Sequence, residues 1–206
     1  MIRAILINLC HVVCTFDANK RVMNFARHSP PALIDVCELS KSLLGSAGSR
    51  LLNDLERGKI TASDYKEAIE RLPHIPKLSD KDFWQAHVDA YAPRGEIMPF
   101  LAAIKGKHPL MKIVALADAD QITIDHLVSL CYETDFDGVI ARKQEHSHAT
   151  FAPGALGLSA RECLVIDLPQ NLAWAGNMKA YSFDPERKEL DATAKLASYL
   201  VDQGLI

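Results

Sequence analysis

Short apolar runs separated by longer amphipathic stretches narrow the fold of this chain more than any other feature. Ile5-Leu6-Ile7 is the first run, Lys112-Ile113-Val114-Ala115-Leu116 the second and Gly138-Val139-Ile140 a short third. Cys163-Leu164-Val165-Ile166-Asp167 is the fourth, and Ala180-Tyr181-Ser182-Phe183 supplies a fifth. Runs this short, apolar throughout, suit strands of a parallel sheet covered on both faces. Helical stretches lie between them, at 96–107, 122–132, 171–176 and 190–203. The rhythm predicts an α/β fold: a doubly wound parallel sheet.

Residues 18–95 break that rhythm, and no strand is expected among them. Pro30-Pro31 precedes a helical stretch at 32–44, and Gly45-Ser46-Ala47-Gly48 reads as a turn. Thr61-Ala62-Ser63-Asp64 has capping-box form ahead of Tyr65, Ala68 and Ile69, and Ser79-Asp80-Lys81-Asp82 repeats it before Phe83-Trp84. Three or four helices are therefore expected as an insertion at 18–95, with the α/β core made of 1–17 and 96–206. No internal repeat or low-complexity segment interrupts either part.

The totals bound the function classes. The chain has 206 residues, room for one domain plus a sizeable insertion. It is 49% hydrophobic and 24% charged with net charge −3, an ordinary globular balance. No lysine/arginine block stands out, so nothing favours nucleic acid as a partner. Cys10, Cys14, Cys37, Cys131 and Cys163 contain no C-x-x-C pair and read as buried thiols of a cytoplasmic protein rather than a disulfide framework. Residues 2–14 have no small-residue cleavage site and read as a buried strand rather than a leader. No run approaches the ~18 apolar residues of a membrane span.

Several phrases, taken in order, resemble the haloacid dehalogenase superfamily, specifically members with a helical cap after the first strand. Leu55-Glu56-Arg57-Gly58-Lys59-Ile60-Thr61 looks like the family's ERGEIS segment. Phe83-Trp84 and then Pro99-Phe100-Leu101, with a helix into the second strand, also fit. Phe136-Asp137-Gly138-Val139-Ile140-Ala141 resembles the third-strand phrase. The stretch from Gly157-Leu158-Ser159 to Val165-Ile166-Asp167 resembles the approach to the acidic fourth motif. The resemblance covers nearly the whole chain.

The resemblance implies chemistry at the carboxyl ends of the strands, where such sheets bind ligands. An aspartate on the first strand attacks the substrate, and a second, two residues later, is general acid and base. A hydroxyl after the second strand and a later lysine hold phosphoryl oxygens. An acidic pair after the fourth strand helps to bind magnesium. This chain departs from that pattern. Asn8 stands at the nucleophile position and Cys10 at the acid/base position. His11 replaces a glycine and would crowd the turn there. Ala117 replaces the hydroxyl, and the acidic pair is Asp167 followed by Leu168. Lys143 falls at the family lysine's spacing, counted back from Gly157-Leu158, although the loop after Ile140 is short and Pro153-Gly154 interrupts the next helix.

Each position carries two readings. Asn8 is a neutral metal ligand or a polar strand end. Cys10 is a nucleophile or a small buried thiol. Asp118 and Asp120 join Asp167 around a dication, or Asp120 caps the following helix. His11, His146 and His148 form a transition-metal site, or are loop histidines. Trp84 and Trp174 are packing residues. Losing nucleophile, acid/base and hydroxyl together implies a protein of this fold without hydrolytic turnover, acting by binding an unknown small molecule or protein. Magnesium is the possible cofactor, with Asp167 and Asn8 left to hold it weakly. A magnesium-dependent phosphatase or hydrolase with an altered site, and an assembly role through the cap, are the alternatives.

Overall fold

The computed structural model describes residues 1–29, 35–131, 136–141, 153–184 and 189–206. Each apolar run becomes a strand: β1 (Ala4–Asn8), β4 (Lys112–Ala117), β5 (Gly138–Ala141), β6 (Cys163–Asp167) and β7 (Lys179–Ser182). They form one sheet in the order β5-β4-β1-β6-β7, with every neighbouring pair parallel. The central strands are buried almost end to end, and the edge strands β5 and β7 are largely half-buried or exposed. Alternate residues Ala4, Leu6, Val114, Leu116, Cys163 and Val165 share one face and pack with Ala175 and Met178. Ile5, Ile7, Ile113 and Ile166 are just as buried on the other. Each such side chain contributes about 2 kcal/mol by leaving water. The doubly covered parallel sheet predicted from the apolar runs is therefore the observed one.

The chain divides into two compact units. One holds this sheet and comprises Met1–Thr15, Pro93–Ala117 and Leu127–Ile206; the other comprises Phe16–Ala92 and Asp118–His126. Assignment of 118–126 to the second unit was not predicted. In the sheet unit, β1 stops earlier than the apolar pattern suggested. Asn8 ends it, and Leu9–Val13 wind into a wide π-helical turn. Asn8 caps that turn, its side-chain oxygen accepting the His11 N–H at 2.9 Å. The expected crowding at His11 does not arise. Among described residues other than glycine only His74 has positive φ, so the turn at His11 makes no demand for glycine. Helices α6 (Met98–Lys107), α7 (Gln121–Leu130) and α8 (Glu189–Asp202) follow their predicted spans to within a few residues. A 3₁₀ turn at Pro169–Trp174 replaces the helix expected at 171–176.

Among the described residues the second unit has five helices of its own, where three or four were expected: α1 (Ala18–Arg27), α2 (Val36–Leu44), α3 (Ser46–Glu56), α4 (Ala62–Glu70) and α5 (Asp80–Val88). α1 escaped prediction because its buried face mixes Arg21 and Asn24 with Val22 and Phe25. Its start is marked by Asp17, which accepts the Lys20 N–H. Gly45 to Gly48 is not a turn. Gly45 is extended and is the only residue separating α2 from α3. Gly48 sits inside α3 because a Cβ there would meet the Leu43 and Ser42 carbonyls at 2.4 and 2.5 Å. Thr61 and Asp64 form the capping box read from the sequence, and Ser79 caps α5. Phe25, Leu39, Leu43, Tyr65, Ile69 and Phe83 make the core of this unit. A short strand, β3 (Tyr91–Pro93), pairs with β2 (Cys14–Phe16), contrary to the expectation of no strand within 18–95. Three residues ending in proline are too few for a period-2 signal. No helix among the described residues is long and apolar enough to cross a membrane.

Candidate functional site

β4, β1 and β6 run parallel as neighbours, so their carboxyl ends lie side by side. They end on Ala117, Asn8 and Asp167, three of the positions singled out from the sequence. Asn8 Nδ2 donates to Asp167 Oδ1 at 2.8 Å, with both residues buried. The same oxygen accepts the Leu168 N–H at 2.7 Å and Asn171 Nδ2 at 3.0 Å. The orientation of the Asn8 amide follows from its neighbours: the His11 N–H needs an oxygen, and the carboxylate needs a donor. Both ends of Asn8 are thereby used. A buried carboxylate surrounded by donors is satisfied by charge-assisted bonds supplied by the chain itself. Asn171 was not anticipated; its only sequence signal is its place four residues after Asp167, in a turn opened by Pro169.

The remaining motif positions add little chemistry here. Cys10 is buried inside the π-helical turn, and Ala117 is wholly buried and ends in a methyl group. His11 is half-buried. Lys143, His146 and His148 lie outside the described residues. Magnesium wants several oxygens in octahedral array. These strand ends supply one carboxylate, and Asn8 turns its NH₂ rather than its oxygen toward it. Among the described residues no group of three or more His, Cys, Asp or Glu could hold a metal ion. The donor set does not fit magnesium.

Asp118 and Asp120 belong to the helical unit. Asp120 caps α7: Oδ1 accepts the N–H groups of Ile122 and Thr123 at 3.0 and 3.2 Å, and Oδ2 takes the Thr123 hydroxyl at 2.6 Å. Asp118 acts on Glu56. Burial, then the charge of Asp118, push the Glu56 carboxyl up to about 7, against the opposing pull of Arg21. Arg21 is 1% exposed, donates to the Tyr65 hydroxyl and lies over the Phe25 and Tyr65 rings at 5.8 and 6.0 Å. His87 packs against Tyr65 and Trp84 at 5.7 and 5.5 Å. Burial, then Arg21, hold its imidazole well below the usual histidine range. Both His87 ring nitrogens and Arg21 Nε are buried and have no hydrogen-bond partner among the described residues. The helical unit thus gathers a guanidinium, a near-neutral carboxyl and an uncharged imidazole around one aromatic patch. Sequence reasoning quoted Glu56 only as part of a phrase and passed over Arg21. The signal was the i,i+4 pairing of Arg21 with Phe25, which puts a cation on the buried face of α1.

No protein-family model matches the chain, and no curated protein does. Solved structures do, and they define the class as a haloacid dehalogenase-like α/β fold. The HAD family enzyme BT-2542 from Bacteroides thetaiotaomicron superposes with TM-score 0.68 at 16% identity, over 91% of this chain and 96% of that one. Its complex with magnesium and inorganic phosphate gives TM-score 0.67 at 16% identity, over 89% of this chain and 95% of that one. L-2-haloacid dehalogenase from Xanthobacter autotrophicus gives 0.61 at 17% identity, over 96% and 83% respectively. A HAD family hydrolase from Deinococcus radiodurans R1, with bound phosphate and sodium, gives 0.59 at 14% identity, over 100% and 97%. At such identities the likeness is one of fold.

Proposed function

We propose that this protein uses the haloacid dehalogenase-like fold without its hydrolytic chemistry and acts by binding a small molecule or a protein, with the helical unit in the role of a cap. The observation that carries this reading is the Asn8–Asp167 hydrogen bond at 2.8 Å. The amide nitrogen donates into the carboxylate, and its lone pair is delocalised into the carbonyl, so it is no nucleophile toward phosphorus. Cys10 and Ala117 offer neither an acid/base carboxyl nor a phosphate-positioning hydroxyl. Loss of acid/base help alone costs typically ~10²–10⁴ in rate. The five free cysteines, four of them buried, support a reducing, cytoplasmic setting. One observation favours the alternative of a hydrolase with an altered site. Glu56, with a carboxyl near 7, has the protonation behaviour of a general acid or base. Calorimetric titration of the purified protein with magnesium chloride at neutral pH tests the leading reading. Affinity weaker than millimolar is expected, because a single engaged carboxylate must give up its donors to accept the ion; micromolar affinity abolished by Asp167→Ala would overturn it.

A further inference from the structure

We propose that Cys14 and Cys131 are a modification site: a thiol pair that a hydroperoxide converts reversibly to an intramolecular disulfide. Their sulfurs lie 3.6 Å apart, fully buried, though 117 positions separate them in sequence. Neither is an isolated core thiol. Cys14 opens β2, and its N–H donates to the Leu9 carbonyl, closing the turn that Asn8 caps. Cys131 follows the last residue of α7, its N–H bonded to the carbonyls of Leu127 and Val128. Both belong to the sheet unit. The hydrogen bond between the sulfurs, and then burial, hold the proton on Cys14, and the same hydrogen bond lowers Cys131. Of the two, Cys131 is therefore the thiol more readily deprotonated, and the thiolate is the form that reacts. Cys37 is exposed, and Cys163 hydrogen-bonds to the Ser159 carbonyl instead.

The chemistry balances with hydrogen peroxide as the hydroperoxide. The Cys131 thiolate attacks the peroxide oxygen; an S–O bond forms, the O–O bond breaks, and the departing hydroxide takes up a proton as water. Cys14 sulfur then attacks the sulfenic sulfur. An S–S bond forms, the S–O bond breaks, and hydroxide leaves with the Cys14 proton as a second water. Two thiols are oxidised, and one peroxide is reduced to two waters. The bond would tie the end of α7 to the turn that positions Asn8.

The test uses the full chain carrying Cys37→Ser, treated with hydrogen peroxide under native conditions, alkylated and digested. The expected result is a Cys14–Cys131 linked peptide, cleaved by dithiothreitol, with a reversible rise in thermal midpoint. The link should persist in Cys10→Ala and vanish in Cys131→Ala. A second arm oxidises the same Cys37→Ser protein in urea, where selectivity for this pair should disappear, so the result does not depend on a variant folding. Free Cys14 and Cys131 after native oxidation, a Cys10–Cys14 link, or equal pairing in native protein and urea would each overturn the proposal.

Discussion

At the scale of single residues the account turns on Asn8. Its Nδ2 donates to one oxygen of a buried carboxylate, and its Oδ1 holds the turn that follows. Asn8→Asp removes the donor and sets two carboxylates side by side. Like charges at that range raise the apparent titration of the pair. A group raised in the folded state gives stability that is present at low pH and lost as pH rises. The variant is expected to lose about 3 kcal/mol near neutral pH and to recover part of it at acid pH; urea unfolding at both conditions reads this. A variant as stable as the parent at neutral pH would mean the pair is not as tight as drawn. Adding Cys10→Asp should not create a competent phosphatase, because Ala117 and Leu168 still lack the groups that must act together. The meeting of Asn8 and Asp167 was legible in the sequence, because the spacing of the first and fourth apolar runs makes them neighbouring parallel strands. Asn171 was not, because side-chain direction in a six-residue 3₁₀ turn follows no sequence period. The cluster of Arg21, Glu56 and His87 was hidden for another reason: burial of polar groups depends on tertiary partners, and here none is adjacent in sequence.

At the scale of elements, two glycines in helices predict opposite outcomes for the same substitution. Gly106 in α6 has open space where a Cβ would stand, so Gly106→Ala should gain about 0.5 kcal/mol from lower unfolded-state entropy and better helix propensity. A Cβ on Gly48 in α3 would meet backbone carbonyls of α2 at 2.4 and 2.5 Å, so Gly48→Ala should lose stability by forcing the two helices apart. Chemical unfolding of both variants decides it, and stabilisation at both sites would show that α2 and α3 are not this closely joined. Thr61→Ala removes the capping box of α4 and should cost about 1 kcal/mol by the same assay. That box was readable from sequence because capping is local chemistry. The Gly45–Gly48 stretch misled because glycine marks a close approach as readily as a turn. The short pairing of β2 with β3 was invisible because only its hydrogen bonds define it, Arg94 N–H to the Val13 carbonyl at 2.8 Å and Asp17 N–H to the Ala90 carbonyl at 2.9 Å flanking it.

At the scale of the whole molecule, pH separates two groups of the helical unit, the buried His87 and the half-buried Glu56. His87 titrates well below its unfolded value of about 6.5, so its contribution is complete above that pH and lost as pH falls. Glu56 titrates near 7, above the ordinary glutamate range, so its contribution is present below that range and lost as pH rises toward 7. The two oppose each other over mildly acid pH. Glu56→Gln should leave a stability that rises from mildly acid to neutral pH, and His87→Leu one that falls over the same interval. Trp84 lies in the helical unit and Trp174 in the sheet unit, so urea unfolding followed by fluorescence in a Trp174→Phe background reads the right part. Identical pH profiles in the two variants would contradict the assignment. The central claim, that the strand ends no longer support covalent hydrolysis, is tested most directly by turnover. Purified protein is assayed against a panel of phosphate monoesters with magnesium present, beside Asp167→Ala prepared identically. The account predicts no turnover above the Asp167→Ala background for any substrate; robust release of phosphate by the parent, abolished in Asp167→Ala, would contradict it.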